Sequence, residues 1–374
     1  MSAEHPEPAE LLNSPLHQRH VAAGAKFAPF SGWSMPLEYA GAGVLAEHAA
    51  VRNAVGIFDV SHLGKATVAG PGAADFVNGC LTADLGKIGA GQAQYTLLCN
   101  PDGGVVDDMI AYLKAPDEIF LIPNAANCER VVALLAEAAP DGVTVTNQHR
   151  DFAVLAVQGT LSDEVVSGAG FPAGHDYMSF VSVDEQGTGV TVCRTGYTGE
   201  RGYELVVPVG SATAVWDAVL AAGEPYGLQP AGLGARDTLR TEMGYPLHGQ
   251  DISPAITPVQ ARLGWAVGWK KESFFGADAL RAEKQAGAKR LLRGLRATGR
   301  GIPRPGMVVR APDGSEVGAV TSGTFSPTLK IGIALALIEA GLTDDDVVTV
   351  DIRSRQEPFV ITKPPFVSPG VRET

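Results

Sequence analysis

The feature that most constrains this fold is a change of rhythm near residue 285. Beyond it the chain becomes a series of short apolar runs, LLRGLRATG, GMVVRAPDG, EVGAVTSGTF, IGIALALI and DVVTVDIR, separated by Gly, Pro and Asp turns. Runs of this length between turn formers read as strands. Their succession predicts a separate all-β domain over residues 285–374. Before that point helix-like and strand-like segments mix without strict alternation, which predicts an α+β body with antiparallel sheets. At 374 residues the chain is too long for one ordinary core, so several domains are expected.

Within the body, SPLHQRHVAAG and GAGVLAEHAAVRNAVGIFDVS read as helices, the second ending near Gly56. Residues 126–139, the segment SATAVWDAVLAAGEPYG and a stretch opened by Gly232-Leu233-Gly234 read as three more. VTVTNQHRDFAVLAVQG alternates like paired strands. In YTLLCNPDGGVVDDMIAYL two β-rich runs flank Pro101-Asp102-Gly103-Gly104, a hairpin signal. TGVTVCRTGYTGERGYELVVP predicts a second hairpin with a glycine-rich tip.

Several function classes are excluded by composition. A formal charge of −12 argues against a nucleic-acid surface, which needs concentrated positive charge. No apolar run approaches the roughly eighteen residues of a membrane span. MSAEHPEPAELLNSPLHQRH has early acids and prolines instead of a signal or transit sequence, which predicts a cytoplasmic protein. Cys80, Cys99, Cys128 and Cys193 form no C-x-x-C pair and read as buried thiols. His17 and His20 are close neighbours but lack a nearby carboxylate or Cys, so no metal site is expected.

Three segments carry candidate chemistry. Asp107 and Asp108 begin the return strand of the first hairpin. Neighbours on a strand face opposite ways, so only one can enter a pocket, and both serve equally well as the polar end of a hairpin. In RTGYTGERGYEL, Gly196, Gly199 and Gly202 either admit a ligand to the backbone beside Tyr197, Tyr203 and Glu204 or simply turn a hairpin. The spacing is not that of a phosphate-cradling loop. In ARDTLRTEMG, Arg236 and Arg240 share one helix face, suited to a carboxylate ligand or to an internal acid at a domain seam. Against the acidic whole, basic side chains crowd residues 270–304, either as a solvated face or as a field that steers an acidic partner.

Together and in order, VVDDMIAY, RTGYTGERGYEL and PAGLGARDTLRTEMGY resemble the glycine cleavage T-proteins, the folate-binding aminomethyltransferases. The resemblance extends through FSGWSMPLEY, GIFDVSHLGK, NPDGGVVDDMI, NAAN, YPLHGQDI, TSGTFSPTL and KPPF, over nearly the whole chain. It implies a three-domain cloverleaf around a central folate cavity. Residues 10–58 and 150–238 would form a folate-binding domain, 59–149 and 239–284 a second domain carrying Asp108, and 285–374 a jelly-roll-like β domain. It implies transfer of an aminomethyl carbon from lipoylated H-protein to tetrahydrofolate, with release of ammonia and without metal, flavin or pyridoxal phosphate.

Residue by residue, Asp108 matches the acid beside the folate nitrogens that receive the carbon, and Glu204 the pterin-binding acid. Tyr197 and Arg236 match further pocket residues. Tyr95, Leu63, Asn124, Tyr112 and Tyr245 are candidates for the lining, and Arg372 for the folate's glutamate tail. Leu63 stands where many relatives have Met, a volume-conserving change. Related transferases with another donor remain an alternative. So does a non-enzymatic folate-binding protein of iron–sulfur assembly, although its Cys-bearing motif is replaced here by MGYPLHGQD.

Overall fold

The structure, a computed structural model, describes residues 10–183 and 189–371. The N-terminal body is built on two main sheets. One has six strands in the order Phe180–Val183, Val190–Cys193, Gly202–Pro208, Phe152–Gln158, Gly56–Asp59 and Gln229–Pro230, antiparallel except for the last pair. The other has five antiparallel strands in the order Gln92–Cys99, Val105–Ala115, Glu118–Ile122, Ala66–Ala69 and Thr144–Asn147. A small sheet of Leu12–Asn13, Trp33–Tyr39 and Ala25–Phe30 completes the body. The α+β body of mostly antiparallel sheets is as expected.

Strand alternation decides how the two sheets pack. On Phe152–Gln158, Ala153, Leu155 and Val157 join Val165 and Val166 of helix Ser162–Gly168 and Trp216 and Val219 of helix Ala212–Gly223. Val154 and Ala156 point the other way, toward Tyr112, Phe120 and Ile122 of the second sheet. On Val105–Ala115, Met109, Ala111 and Leu113 pack against Val77 of helix Ala73–Cys80 and Val131 and Leu135 of helix Cys128–Ala138. Each sheet therefore has a helix-covered outer face and an inner face turned to its neighbour. Burial on both faces explains why Phe152–Gln158 reads as an almost unbroken apolar run.

Thr144–Asn147 and Phe152–Gln158 are both strands, but they do not pair with each other. The first joins the five-stranded sheet and the second the six-stranded one, so the residues between them carry the chain across the body. Helix Gly43–Asn53 stops short of Gly56, which instead opens a strand. A Cβ on Gly56 would lie 2.6 Å from Val51 Cγ2, so glycine is needed there for close approach.

The C-terminal β domain is a closed six-stranded barrel. Its strands are Arg290–Ala297, Val308–Arg310, Glu316–Ser326, Ile331–Glu339, Val347–Ile352 and Arg355–Thr362. The last was not among the runs read from sequence, because Pro358 and the flanking charges disguise it. It closes the barrel by pairing with Val347–Ile352 on one side and Arg290–Ala297 on the other.

Helix Leu233–Met243 forms the seam between body and barrel. Arg240 donates to Asp251 at 2.8 Å, to Asp237 at 2.7 Å and to Ser322 Oγ of the barrel at 2.8 Å. Glu242 accepts from Arg52 at 2.8 Å, from Ser326 Oγ at 2.5 Å and from Thr328 Oγ1 at 3.0 Å. All four cysteines are free and buried. Among the described residues no helix is long and apolar enough to cross a membrane. Because Asp251 is wholly buried, Arg240→Ala should leave an uncompensated charge and cost about 3–5 kcal/mol. Denaturant unfolding checks this, and a loss below about 1 kcal/mol would show that the pair does not hold the seam.

Candidate functional site

Alternation that builds the core also aims the polar side chains. Glu204 lies between Tyr203 and Leu205, which face the outer core, so it points inward from the six-stranded sheet. Asp108 lies next to outward-facing Met109 and points inward from the five-stranded sheet. Between these inner faces, bordered by residues of the seam, is a cavity of about 580 Å³. Leu63, Tyr95, Asp108, Tyr112, Asn124, Tyr197, Glu204, Arg236 and Tyr245 all line it. Arg372 lies outside the described residues.

At the Asp108 end, Tyr95 donates its hydroxyl to Asp108 Oδ2 at 2.9 Å, and Asn124 Nδ2 donates to Asp108 Oδ1 at 2.8 Å. The ring of Tyr95 stacks on Trp265, centroids 5.4 Å apart, and Trp265 is 71% exposed at the cavity rim. Asp107 does not line the cavity; it is buried among Asn124 and Asn127. The strand is phased by an irregularity: Cys99 pairs with Val105 but Leu98 with Asp107, so Val106 is an extra residue. Burial pushes both carboxyls above the ordinary carboxylate range, and repulsion within the pair adds to the rise.

At the other end, Glu204 Oε2 accepts from Thr195 Oγ1 at 2.5 Å, and Tyr112 OH lies 3.3 Å from the same hydroxyl. Arg236 sits 4.7 Å above the ring of Tyr197, which stacks on Tyr245 at 5.7 Å. Tyr197 OH is anchored to the Pro246 carbonyl at 2.5 Å. Desolvation weakens the proton affinity of the Arg236 guanidinium, with Glu204 and Tyr197 acting against it. Its Nη1, His62 Nδ1 and Gln94 Oε1 are buried polar atoms of cavity-lining residues with no hydrogen-bond partner among the described residues. Such atoms are costly in a dry core and fitting in a binding site.

The structure separates Arg236 from Arg240: one lines the cavity, the other holds the seam. It also reassigns the glycines of the hairpin tip. A Cβ on Gly196 or Gly202 would fall within 2.4 Å of the Gln158 amide, and one on Gly199 within 2.1 Å of Met243 Sδ. They make room for packed side chains that lock the loop; of the three, only Gly196 lines the cavity. Sequence reasoning missed His62, Asn127, His248 and Trp265. The first three lie inside the quoted segments GIFDVSHLGK, NAAN and YPLHGQDI, whereas Trp265 carried no local signal. Among the described residues no group of His, Cys, Asp or Glu is arranged to hold a metal ion.

This fold, an N-terminal body of two facing sheets followed by a C-terminal barrel, is shared with known proteins over almost the whole chain. The family model described as the GCVT N-terminal domain matches residues 16–271, and that of the glycine cleavage T-protein C-terminal barrel domain matches residues 290–368. The chain belongs to the glycine cleavage T-protein family. It is 63% identical over 359 residues to an aminomethyltransferase of Frankia alni, covering 96% of this chain and 98% of that protein. With an aminomethyltransferase of Mycobacterium tuberculosis it shares 58% identity over 365 residues, 97% of this chain and 99% of that one. The crystal structure of glycine cleavage system aminomethyltransferase T from Bartonella henselae superposes with a TM-score of 0.91 at 34% identity, covering 96% and 99% of the two chains. Within the family the chain is an aminomethyltransferase of the glycine cleavage system.

The raised carboxyls of the Asp107–Asp108 pair have a consequence for stability. The folded pair keeps one proton over a pH range in which the unfolded chain has lost both, so raising pH from about 4 to about 8 removes stability. Above that window the penalty is constant. Asp107→Asn should flatten the decline, measured as unfolding free energy against pH; equal slopes in both proteins would contradict the assignment.

Proposed function

We propose that the cavity holds the pterin of tetrahydrofolate between Glu204 and Arg236, and presents the carbon-accepting nitrogens of the folate to Asp108. The observation that carries this is the opening of two inward carboxylates, from different sheets, into one cavity that also contains an unpaired buried guanidinium N–H. A volume of about 580 Å³ is typical of a site for one small molecule. Glu204 offers acceptors to adjacent ring N–H groups, and Arg236 offers a donor to a ring carbonyl. Tyr197 and Tyr245 supply a flat aromatic wall. Leu63, Tyr112, Tyr95 and Asn124 complete the lining; Arg372 is retained as a candidate for the glutamate tail.

The donor in this reading is the aminomethyl group on the lipoyl arm of H-protein. The methylene carbon leaves sulfur and its own amine nitrogen and becomes bonded to two folate nitrogens. Their two protons end on the thiol and in ammonia, so the reaction balances without a redox partner. Asp108 stabilises the positive charge that develops at carbon, in a site where water is largely replaced by fixed groups. The discontinuous division into residues 10–58 with 150–238, 59–149 with 239–284, and 285–374 is part of the proposal. It is supported by the strand membership of the sheets. We place the reaction in the cytoplasm, an assignment consistent with four unpaired thiols.

Not all of the basic cluster is available to a partner. Lys271 caps the Leu81 and Ala83 carbonyls at 2.6 and 3.0 Å, and Arg293 bonds the Leu342 carbonyl at 3.1 Å. Arg290, Arg296 and Arg300 are exposed and are the candidates for steering acidic H-protein. Charge reversal at Arg290 and Arg296 should weaken the salt dependence of turnover with H-protein; an unchanged dependence rejects the idea.

The decisive assay supplies aminomethylated H-protein and tetrahydrofolate and measures ammonia release. Asp108→Asn should bind folate but lose about 10²- to 10⁴-fold in turnover. Glu204→Gln should weaken folate binding by calorimetry, by about tenfold or more. Near-normal turnover in the first, or unchanged affinity in the second, would sink the corresponding role.

A further inference from the structure

Asp107 and Asp108 leave their strand by opposite faces, yet one amide reaches both. Asn124 Nδ2 lies 2.9 Å from Asp107 Oδ1 and 2.8 Å from Asp108 Oδ1. Asp107 also accepts the Asn124 backbone N–H on Oδ2 at 2.9 Å and Asn127 Nδ2 on Oδ1 at 2.6 Å. It is 0% exposed. Two carboxylates this close and this buried repel each other strongly, so the pair holds a proton at a pH where a lone carboxylate would have lost it.

Where that proton rests follows from the neighbours. Among the described residues every group bonded to Asp107 presents an N–H to it, so oriented as a donor and not as an acceptor. Asn127 also begins helix Cys128–Ala138, whose positive end favours an anion beside it. Asp108 faces Tyr95, whose hydroxyl can turn and accept. Among the described residues the remaining titratable groups supply no cation bonded to either acid. Cys128 lies at the helix start. His248, from the segment after helix Leu233–Met243, places Nδ1 3.0 Å from the Asn127 amide and Nε2 3.1 Å from the Val105 carbonyl.

We propose that Asp107 is a positioning residue that holds the negative charge of a one-proton pair and leaves the proton on Asp108, facing the cavity. Asp108 then delivers that proton to the departing amine nitrogen as its bond to carbon breaks. The folate nitrogen that bonds to the carbon returns a proton to Asp108, and the pair is restored. The delivery step rests on the reading of Asp108 given above; the location of the proton does not.

Two measurements test it. In single-turnover ammonia release, Asp107→Asn should move the pH limb that reports Asp108 to lower pH by about one unit or more, with KM for tetrahydrofolate changed less than about threefold. A uniform loss of rate at every pH, with the limb unmoved, would overturn the proposal and make Asp107 merely structural. If Asp107→Asn does not fold, difference infrared spectroscopy of the wild-type protein without substrates carries the test. A protonated carboxyl should titrate above about pH 6, and its band should be missing from Asp108→Asn. No such band, or one that survives in Asp108→Asn, overturns the proposal. Should Asp108→Asn turn over normally while the band behaves as expected, only the reading of Asp108 as catalytic fails.

Discussion

The site depends on two sheets that bury their inner faces against each other. Apolar side chains such as Phe58, Phe120, Val154 and Val206 fill most of that interface. Where Asp108 and Glu204 stand, the faces cannot close, because neither carboxylate tolerates an apolar neighbour without partners. Tyr112 bridges the gap: its ring packs against Phe180 at 5.6 Å, and its hydroxyl reaches Thr195, which in turn holds Glu204. A residue of one sheet thus helps fix the acid of the other. Rigid strands make this dependable, since a carboxylate on a strand moves only when the whole sheet moves.

Helix Leu233–Met243 joins two problems in a single element. Arg236, on one turn, lines the cavity; Arg240, on the next, is tied to Asp237, Asp251 and the barrel. The position of the cavity-lining arginine is therefore set by the same ion pairs that dock the C-terminal domain. The barrel contributes to the site through this anchoring, with Ser322 and Ser326 gripping the helix from beneath. Glu242 on the same helix adds Arg52 to the grip, and its carboxyl is held down at about 2 by the bonds of His48, Ser326 and Arg52, against the opposing effect of burial.

Much of this was legible in sequence because strands and turns have local causes. The hairpin around Pro101-Asp102-Gly103-Gly104, the helix after Gly232 and five of the barrel strands follow from turn residues and apolar runs. What escaped is non-local. Nothing near Thr144–Asn147 says that its partner is Ala66–Ala69 and not the next strand along. Arg355–Thr362 is a strand because two neighbours need its backbone, despite Pro358. The pocket residues came from resemblance, since a lone Glu204 or Arg236 looks the same in a salt bridge as in a binding site. His62 and Trp265 show the limit: their importance lies in what surrounds them, and their neighbours come from distant segments.

Val106 gives the adjacent acids an unusual property. In letters, Asp-Asp is a repeat, and exchanging its members changes nothing. In space the two are opposites, one turned to the cavity and the other to a nest of amides, and one extra residue in the strand sets which is which. A gap placed a single column away in a comparison of relatives would leave the written match intact and swap the two acids. Alignment at this point is therefore settled by the pairing of Leu97 with Asp108, a fact of geometry that identity scores cannot register.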